Sequence, residues 1–407
     1  MRAKAYGGAQ DYYWNGEASL VGTSATWINV RVPVQRLTFH ANGRFWVFYN
    51  TQTNQVYRTS TDGKTWTAET IVYAGDWGAK FATWFDGTYV HYCRGQLGLY
   101  YRRGTPNADG TITWSVAEQT FIAYPGSNQV GDPVICVDSG GYPWIAYGQM
   151  DAAGKFQPWV TKSSSNDGTW TTATGFPYQL GTHDEYLAST IPLTNQKVYA
   201  FAYKSTSGGG GAITYGRLWD GNAWSSEEQI SSTLLDQAFF CKINAVAIGD
   251  DVHVVFVKQA TYDIIHVKRT YGIGWGSDVV VQAATDSESS PVLTKDGNDL
   301  YCFWAGAPLA DHIYYKRYTE GIWDSTPYDW RDETAEDMTK DYIINADYQA
   351  YEGFISVVYS TKLAQPFNIR HKHGGFGQGT PLRLQVDRQE SLVYATRTRN
   401  TITTFPK

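Results

Sequence analysis

Charge is scarce in this chain. Asp, Glu, Lys and Arg make up 18% of 407 residues, and 33 cations against 39 acids leave a formal charge of −6. Contact with phosphates needs a basic face, so general nucleic-acid binding is excluded. Cysteine is scarce too. Cys93, Cys136, Cys241 and Cys302 lie far apart in apolar runs, with no C-x-x-C, which removes zinc and dithiol redox motifs. They read as buried thiols. No window approaches the roughly 18 consecutive apolar residues of a spanning helix. The N-terminal segment has no apolar leader core. There is no G-x-S-x-G elbow, and Gly208 to Ala212 (GGGGA) precedes a strand, so it reads as a loop and not a phosphate cradle. No amphipathic helix of convincing length is visible.

What the chain has is glycine (40 residues), aromatics (15%) and a 42% hydrophobic share, enough for a large core. It also has a repeat. Short runs ending in a basic residue lead to an aromatic anchor: Trp66, Trp114, Trp170, Trp224, Trp275, Trp323 and Phe376, at spacings of 48 to 56 residues. Each run follows a pair of apolar segments joined by a turn, such as Asn42-Gly43, Asp86-Gly87, Gly140-Gly141 and Asp296-Gly297. Such dipeptides accept the positive φ of tight hairpins. The unit is strand, tight turn, strand, loop, strand, glycine turn, Trp-bearing strand. Seven four-stranded units at this period predict an all-β, seven-bladed β-propeller. A lone sheet cannot bury both faces, whereas stacked blades bury them against each other with large aromatics in the wedges.

Closing the ring needs a strand from one end of the chain. DYYWNGEASLVG resembles a last strand and is expected to complete blade seven, with PLRLQ after Phe376 as the alternative. The predicted organisation is a propeller over 1–384 and a C-terminal extension over 385–407, β-prone and suited to capping or to contact with another chain.

Ser60-Thr61-Asp62-Gly63-Lys64-Thr65-Trp66 resembles the Asp-box hairpin of sialidase-like propellers, one residue shorter; Ser165 to Trp170 is a degraded copy. Asp109-Gly110 and Asp220-Gly221 are fainter echoes. In such a turn the carboxylate accepts backbone N–H bonds and glycine supplies the left-handed residue, with the Trp inserted beneath. The resemblance implies structural boxes away from a catalytic face. In sialidases it also implies an arginine triad, whose first member Arg31-Val32-Pro33 resembles. Arg217, Arg269 and Arg317 read as one repeated third-strand position and hence as structural, so the triad is not visible and a non-catalytic propeller is expected.

Ligands of propellers usually meet the face where the inner strands begin. Those starts give Arg31, Arg36, Trp77, Lys80, Asp184, Gln237, Glu288 and Asp341 as ligand-binding candidates, and Asp132, His183 and Glu185 as candidate acid/base groups. His183 is flanked by Asp184 and Glu185, which would raise its pKa and hold one tautomer. His371 and His373 alternate onto one strand face, but no metal or other cofactor is predicted. Loop aromatics Trp27, Trp77, Tyr124, Trp219 and Trp330 are candidate sugar platforms.

These residues predict a recognition propeller binding a glycan or another polar ligand, outside the cell or on a surface or virion. The alternatives are a carbohydrate-active enzyme (glycosidase or polysaccharide lyase) and an adhesive or structural subunit using its C-terminal tail for self-association.

Overall fold

The computed structural model describes residues 18–30, 32–75, 80–123, 130–182, 188–205, 211–236, 242–339 and 342–375, and the strands Leu382–Arg383, Tyr394–Thr398 and Thr401–Thr404. Seven antiparallel sheets follow one another around an axis. Among the described residues there is no α-helix and one 3-10 turn, Pro33–Gln35. Blade one runs outward through Thr38–Ala41, Arg44–Asn50, Asn54–Ser60 and Thr70–Ala74. Blades two to six start at the inner strands Phe81–Phe85, Val134–Val137, Ala188–Pro192, Ile243–Ile248 and Val292–Asp296. Blade seven is Ile344–Ala346, Phe354–Thr361, Phe367–Gly375 and, outermost, Ser19–Ser24.

The N-terminal strand therefore closes the ring. Ser19 stands opposite His371 and Ser24 opposite Phe367. The alternative closing strand, Leu382–Arg383, pairs with Tyr394–Thr398 in a separate three-stranded sheet. Pairing the two ends of the chain gives blade seven its fourth strand and ties the first strand of the chain to the last blade.

The hairpins form as the turn residues predict. Asn42 and Gly43 have φ 53° and 68°, both left-handed, the geometry of a two-residue turn matched to strand twist. Blade four turns without glycine, through Asn195 and Gln196 at φ 54° and 58°.

The expected Trp-bearing fourth strand is broken in two. In blades two, five and six the Trp ends a short strand (Ile112–Trp114, Gly274–Trp275, Ile322–Trp323), and a second piece (Gln119–Ala123, Val279–Gln282, Tyr328–Asp332) pairs with the other part of the third strand. The anchors also reach beyond their own hairpins. The Trp66 indole donates to Ser19 Oγ (2.9 Å) and packs on His371, both in blade seven. Trp170 lies on Phe121 and Tyr101 of blade two, and Trp224 on Tyr178 of blade three. Trp275 donates to Tyr199 of blade four and Trp323 to His266 of blade five. Each of these rings locks a blade to the one before it with large apolar area, and all except Trp224 also satisfy the indole N–H.

A column of cations does the same work. Arg217, Arg269 and Arg317 do not share one position. They stand opposite Ala200, Val252 and Tyr301, three different steps counted from the hairpins. The repeated position holds Arg58, Arg102, Arg217, Lys316 and Lys372. The last four donate to the outer strand region of the preceding blade, at the carbonyls of Val72, Leu180, Val281 and Trp330. Alternation along a strand hides this register, because a one-residue error changes the face.

Candidate functional site

Seven of the predicted site residues, Arg31, Trp77, His183, Asp184, Glu185, Gln237 and Asp341, lie outside the described residues. Of the other four, Lys80, Asp132 and Glu288 lie where inner strands begin and Arg36 lies in the axis, so they form no single cluster. Lys80 is half-buried, and burial lowers its pKa against the opposing charge of Asp132, which lies within electrostatic reach and is itself buried. Those two predicted residues are brought together between blades two and three. Glu288 is half-buried, and its N–H donates to Asp286. Beside it lies an ion pair that sequence reasoning missed. Lys242 donates to Asp236 at 2.7 Å and to the carbonyl of Ser287. Asp236 pairs with blade four, Lys242 leads into blade five and Ser287 into blade six, so this buried pair joins three blades.

Arg36 occupies the axis. The chain between the closing strand and blade one folds inward, with Val32, Val34 and Gln35 buried against the inner strands. Arg36 adopts φ 51°, ψ 62° and sends its guanidinium across the ring. It donates to Leu293 O, Asn244 Oδ1 and Ala245 O, each at 2.8 Å, and to Asp347 O at 3.4 Å. Asn345 donates to Val32 O and accepts from Leu37 N, both at 3.0 Å, and Thr83 donates to Arg36 O. From the other side the blade-seven segment 347–351 crosses inward. Tyr348 packs on Trp84, its hydroxyl oxygen accepts from Ala247 N, and the Tyr351 hydroxyl donates to Phe85 O. Burial lowers the Arg36 pKa to about 10 and raises that of Asp347 to about 8. The guanidinium serves as an internal axle, its donors used on the protein itself.

A polar cavity opens on the strand-start side of blade three. Gln149 stands opposite Gln157, and Trp159 opposite Gln179, so strand register places all four on one face of the sheet. With Asp151 and Thr182 they line a cavity of about 380 Å³. Gln157 donates to Asp151 at 3.3 Å, and its Oε1 is buried without a hydrogen-bond partner among the described residues. Thr182 directly precedes His183. Trp159 was missed because Tyr100, Tyr215 and Tyr314 hold the same step in blades two, four and six, so an aromatic there looks structural. The three glutamines on neighbouring strands were the available signal. Two nominated platforms fail by position: Trp330 is buried in the outer strand of blade six against Phe303, and Trp219 ends a strand packed on Trp144 and Phe176.

Histidines gather at two seams. His253 Nδ1 and His266 Nε2 are 2.9 Å apart. Trp323 can only donate, so His266 Nδ1 accepts and its Nε2–H points to His253. Burial lowers their pKa values to about 4 and 3. At the ring-closing seam His371 and His373 stack 5.4 Å apart beside Phe45 and His40, with burial holding His373 at about 4 and His371 well below its ordinary value. Gly63 of the turn resembling an Asp-box lies so close to His373 that a Cβ would sit 2.5 Å from its ring. Among the described residues no group of three or more His, Cys, Asp or Glu side chains is placed to hold a metal ion.

No family model and no curated protein matches the chain. Among solved structures, the polysaccharide lyase Uly1 is similar at 8% identity and a TM-score of 0.53, over 90% of this chain and 94% of that one. A protein of unknown function from Dyadobacter fermentans is similar at 11% identity and a TM-score of 0.50, over 89% and 98%. A fucose-specific lectin from Aleuria aurantia is similar at 15% identity and a TM-score of 0.45, over 70% and 92%. At these identities the likeness is one of fold: the chain is a seven-bladed β-propeller.

Proposed function

We propose that the protein is a non-catalytic, glycan-binding propeller of sialidase-like design that works outside the cell or on a surface or virion, its ligand-facing side being the one where the inner strands begin. The observation that carries this reading is the blade-three cavity. One aromatic platform and three side-chain amides on a single sheet face, with the Asp151 carboxylate in the adjoining turn, match what a sugar ring presents, an apolar C–H face and a rim of hydroxyls. The sialidase-like lineage rests on the turn at Asp62, whose carboxylate accepts from Ser60 Oγ, Lys64 N and Thr65 N, each at 2.8 Å, with Gly63 at φ +68°.

A glycan array followed by titration tests it, with a glycosidase and lyase screen alongside. Trp159→Ala is expected to weaken binding about tenfold or more, the loss of one stacking contact. Gln179→Ala weakens it less. Binding untouched by both substitutions would move the ligand elsewhere. Turnover of a glycan, abolished by Glu185→Gln or His183→Ala, would make the protein an enzyme with Asp132 beside its acid/base groups.

A further inference from the structure

We propose that the cleft between blades five and six is a second saccharide site, one that takes a neutral pyranose ring. This rests on the reading that the protein binds glycans, and it places a second ring-sized site two blades away from the first.

The cleft has a volume of about 420 Å³, inside the range of about 300–1,000 Å³ that small-ligand sites occupy. One wall is the outer strand of blade five, with Val279 and Val280 about half exposed. The other is the Trp323 hairpin of blade six, where Ile322 is 74% exposed. Exposed apolar side chains also occur singly on other blades, as at Ile71 and Ile273, but these three lie together along the walls of one cleft. Exposed apolar surface flanking a cleft is a feature that monomeric surfaces ordinarily avoid.

The charges decide the ligand class. Lys316 is buried and donates to Val281 O at 2.8 Å. Lys268 is paired with Asp251 at 2.7 Å. His266 accepts the indole N–H of Trp323 and is held neutral by burial. Asp324 accepts from Arg317 N through Oδ2 at 2.9 Å. Each charge therefore has a partner in the protein, and an ionic ligand would have to break one of these pairs. The hydroxyls of Ser277 and Ser325 and the Asp324 carboxylate remain to meet a ligand's hydroxyls. A small molecule that is uncharged, apolar on one face and hydroxylated at its rim is a neutral sugar ring.

Methyl NMR on the full chain tests this, because each cavity carries its own reporter. Ile322 lines the cleft and Met150 the blade-three cavity. The probes are methyl β-glucoside, N-acetylglucosamine and, as the charged control, glucuronate, each titrated into the millimolar range. A neutral probe is expected to shift the Ile322 methyl saturably in the native protein and equally in Trp159→Ala. Val280→Asp, at an exposed position, is expected to abolish that shift while the Met150 response persists. A Met150 response with a silent Ile322 would overturn the second site and leave the glycan-binding reading standing. Silence at both, with every probe, would overturn both. An Ile322 shift that survives Val280→Asp, or one stronger with glucuronate, would overturn the assignment of a neutral sugar to this cleft.

Discussion

The axis and the rim of this ring are built from similar residues and behave in opposite ways. At the axis Arg36 and Asn345 are polar and buried, and they spend their hydrogen bonds on Asn244 Oδ1 and on backbone groups of the surrounding segments. At the rim, glutamines, serines and half-exposed aromatics line cavities, and Gln157 Oε1 is buried there without a partner among the described residues. Polarity alone therefore does not mark a site in a propeller. A site is marked by polarity that the neighbouring blades leave unpaired, because a buried group without a partner costs free energy that a ligand can restore.

The comparison can be broken most forcefully at the axis. Arg36→Met removes the donor shared by Leu293 O, Ala245 O and Asn244 Oδ1. A loss on the order of 3–5 kcal/mol is expected, since one partner of a buried charged network is removed and the others are left unsatisfied. An unchanged urea midpoint would show that the axle does not hold the blades together.

Acid acts next, at the seams. His253, His266 and His373 have folded pKa values of about 4, 3 and 4 against 6.5 for the free side chain. Their folded values are depressed, so the unfolded chain binds more protons across that interval. Stability from these groups is full above pH 6.5 and is lost as pH falls through about 4. The charged neighbours at one seam are Lys268, Asp251 and Lys295, and at the other His40, Lys64, Asp62 and Lys372. The summed loss is expected to be on the order of 3 kcal/mol or more. Urea midpoints across this range check it, and a flat profile would contradict buried neutral histidines.

The smallest effect is a gain. Asp347 is buried with its pKa raised from 3.8 to about 8, chiefly by desolvation. A raised carboxyl destabilises the fold progressively as pH climbs from 3.8 through about 8. Asp347→Asn can still accept from Ser356 N, as Asp347 Oδ2 does at 2.9 Å. It is expected to add about 1–2 kcal/mol at pH 8 and little at pH 4. Melting temperatures at the two values measure the difference, and an equal or larger gain at pH 4 would reverse the assignment.

Much of the ring was legible in the string because its signals are local. Asn42-Gly43 prescribes a left-handed hairpin wherever it stands, and Trp spacing reports the blade period. The closing strand was legible only as one of two candidates, through the echo of a later repeat, and the pairing of Ser19–Ser24 decided it. Cross-strand register was not. Arg217, Arg269 and Arg317 look equivalent by their distance from the next Trp, yet they oppose different residues, because loop lengths between strands vary. The candidate site was less legible still. Lys80 and Asp132 were named and are neighbours, whereas Arg36 was named and lies inside the axis. Trp159 was not named, because an aromatic at its step recurs in other blades.

The sequence by itself determined how many wedges there are and where most hairpins turn, and it narrowed the last strand to two candidates. Those properties follow from dihedral preferences and from a hydrophobic period that each segment carries alone. Only the tertiary structure decided that a segment before blade one folds into the axis, that the tryptophans and cations reach to the preceding blade, and that two clefts stay open at the rim. Those depend on which side chain from one blade meets which from the next, and that pairing is a property of the closed ring.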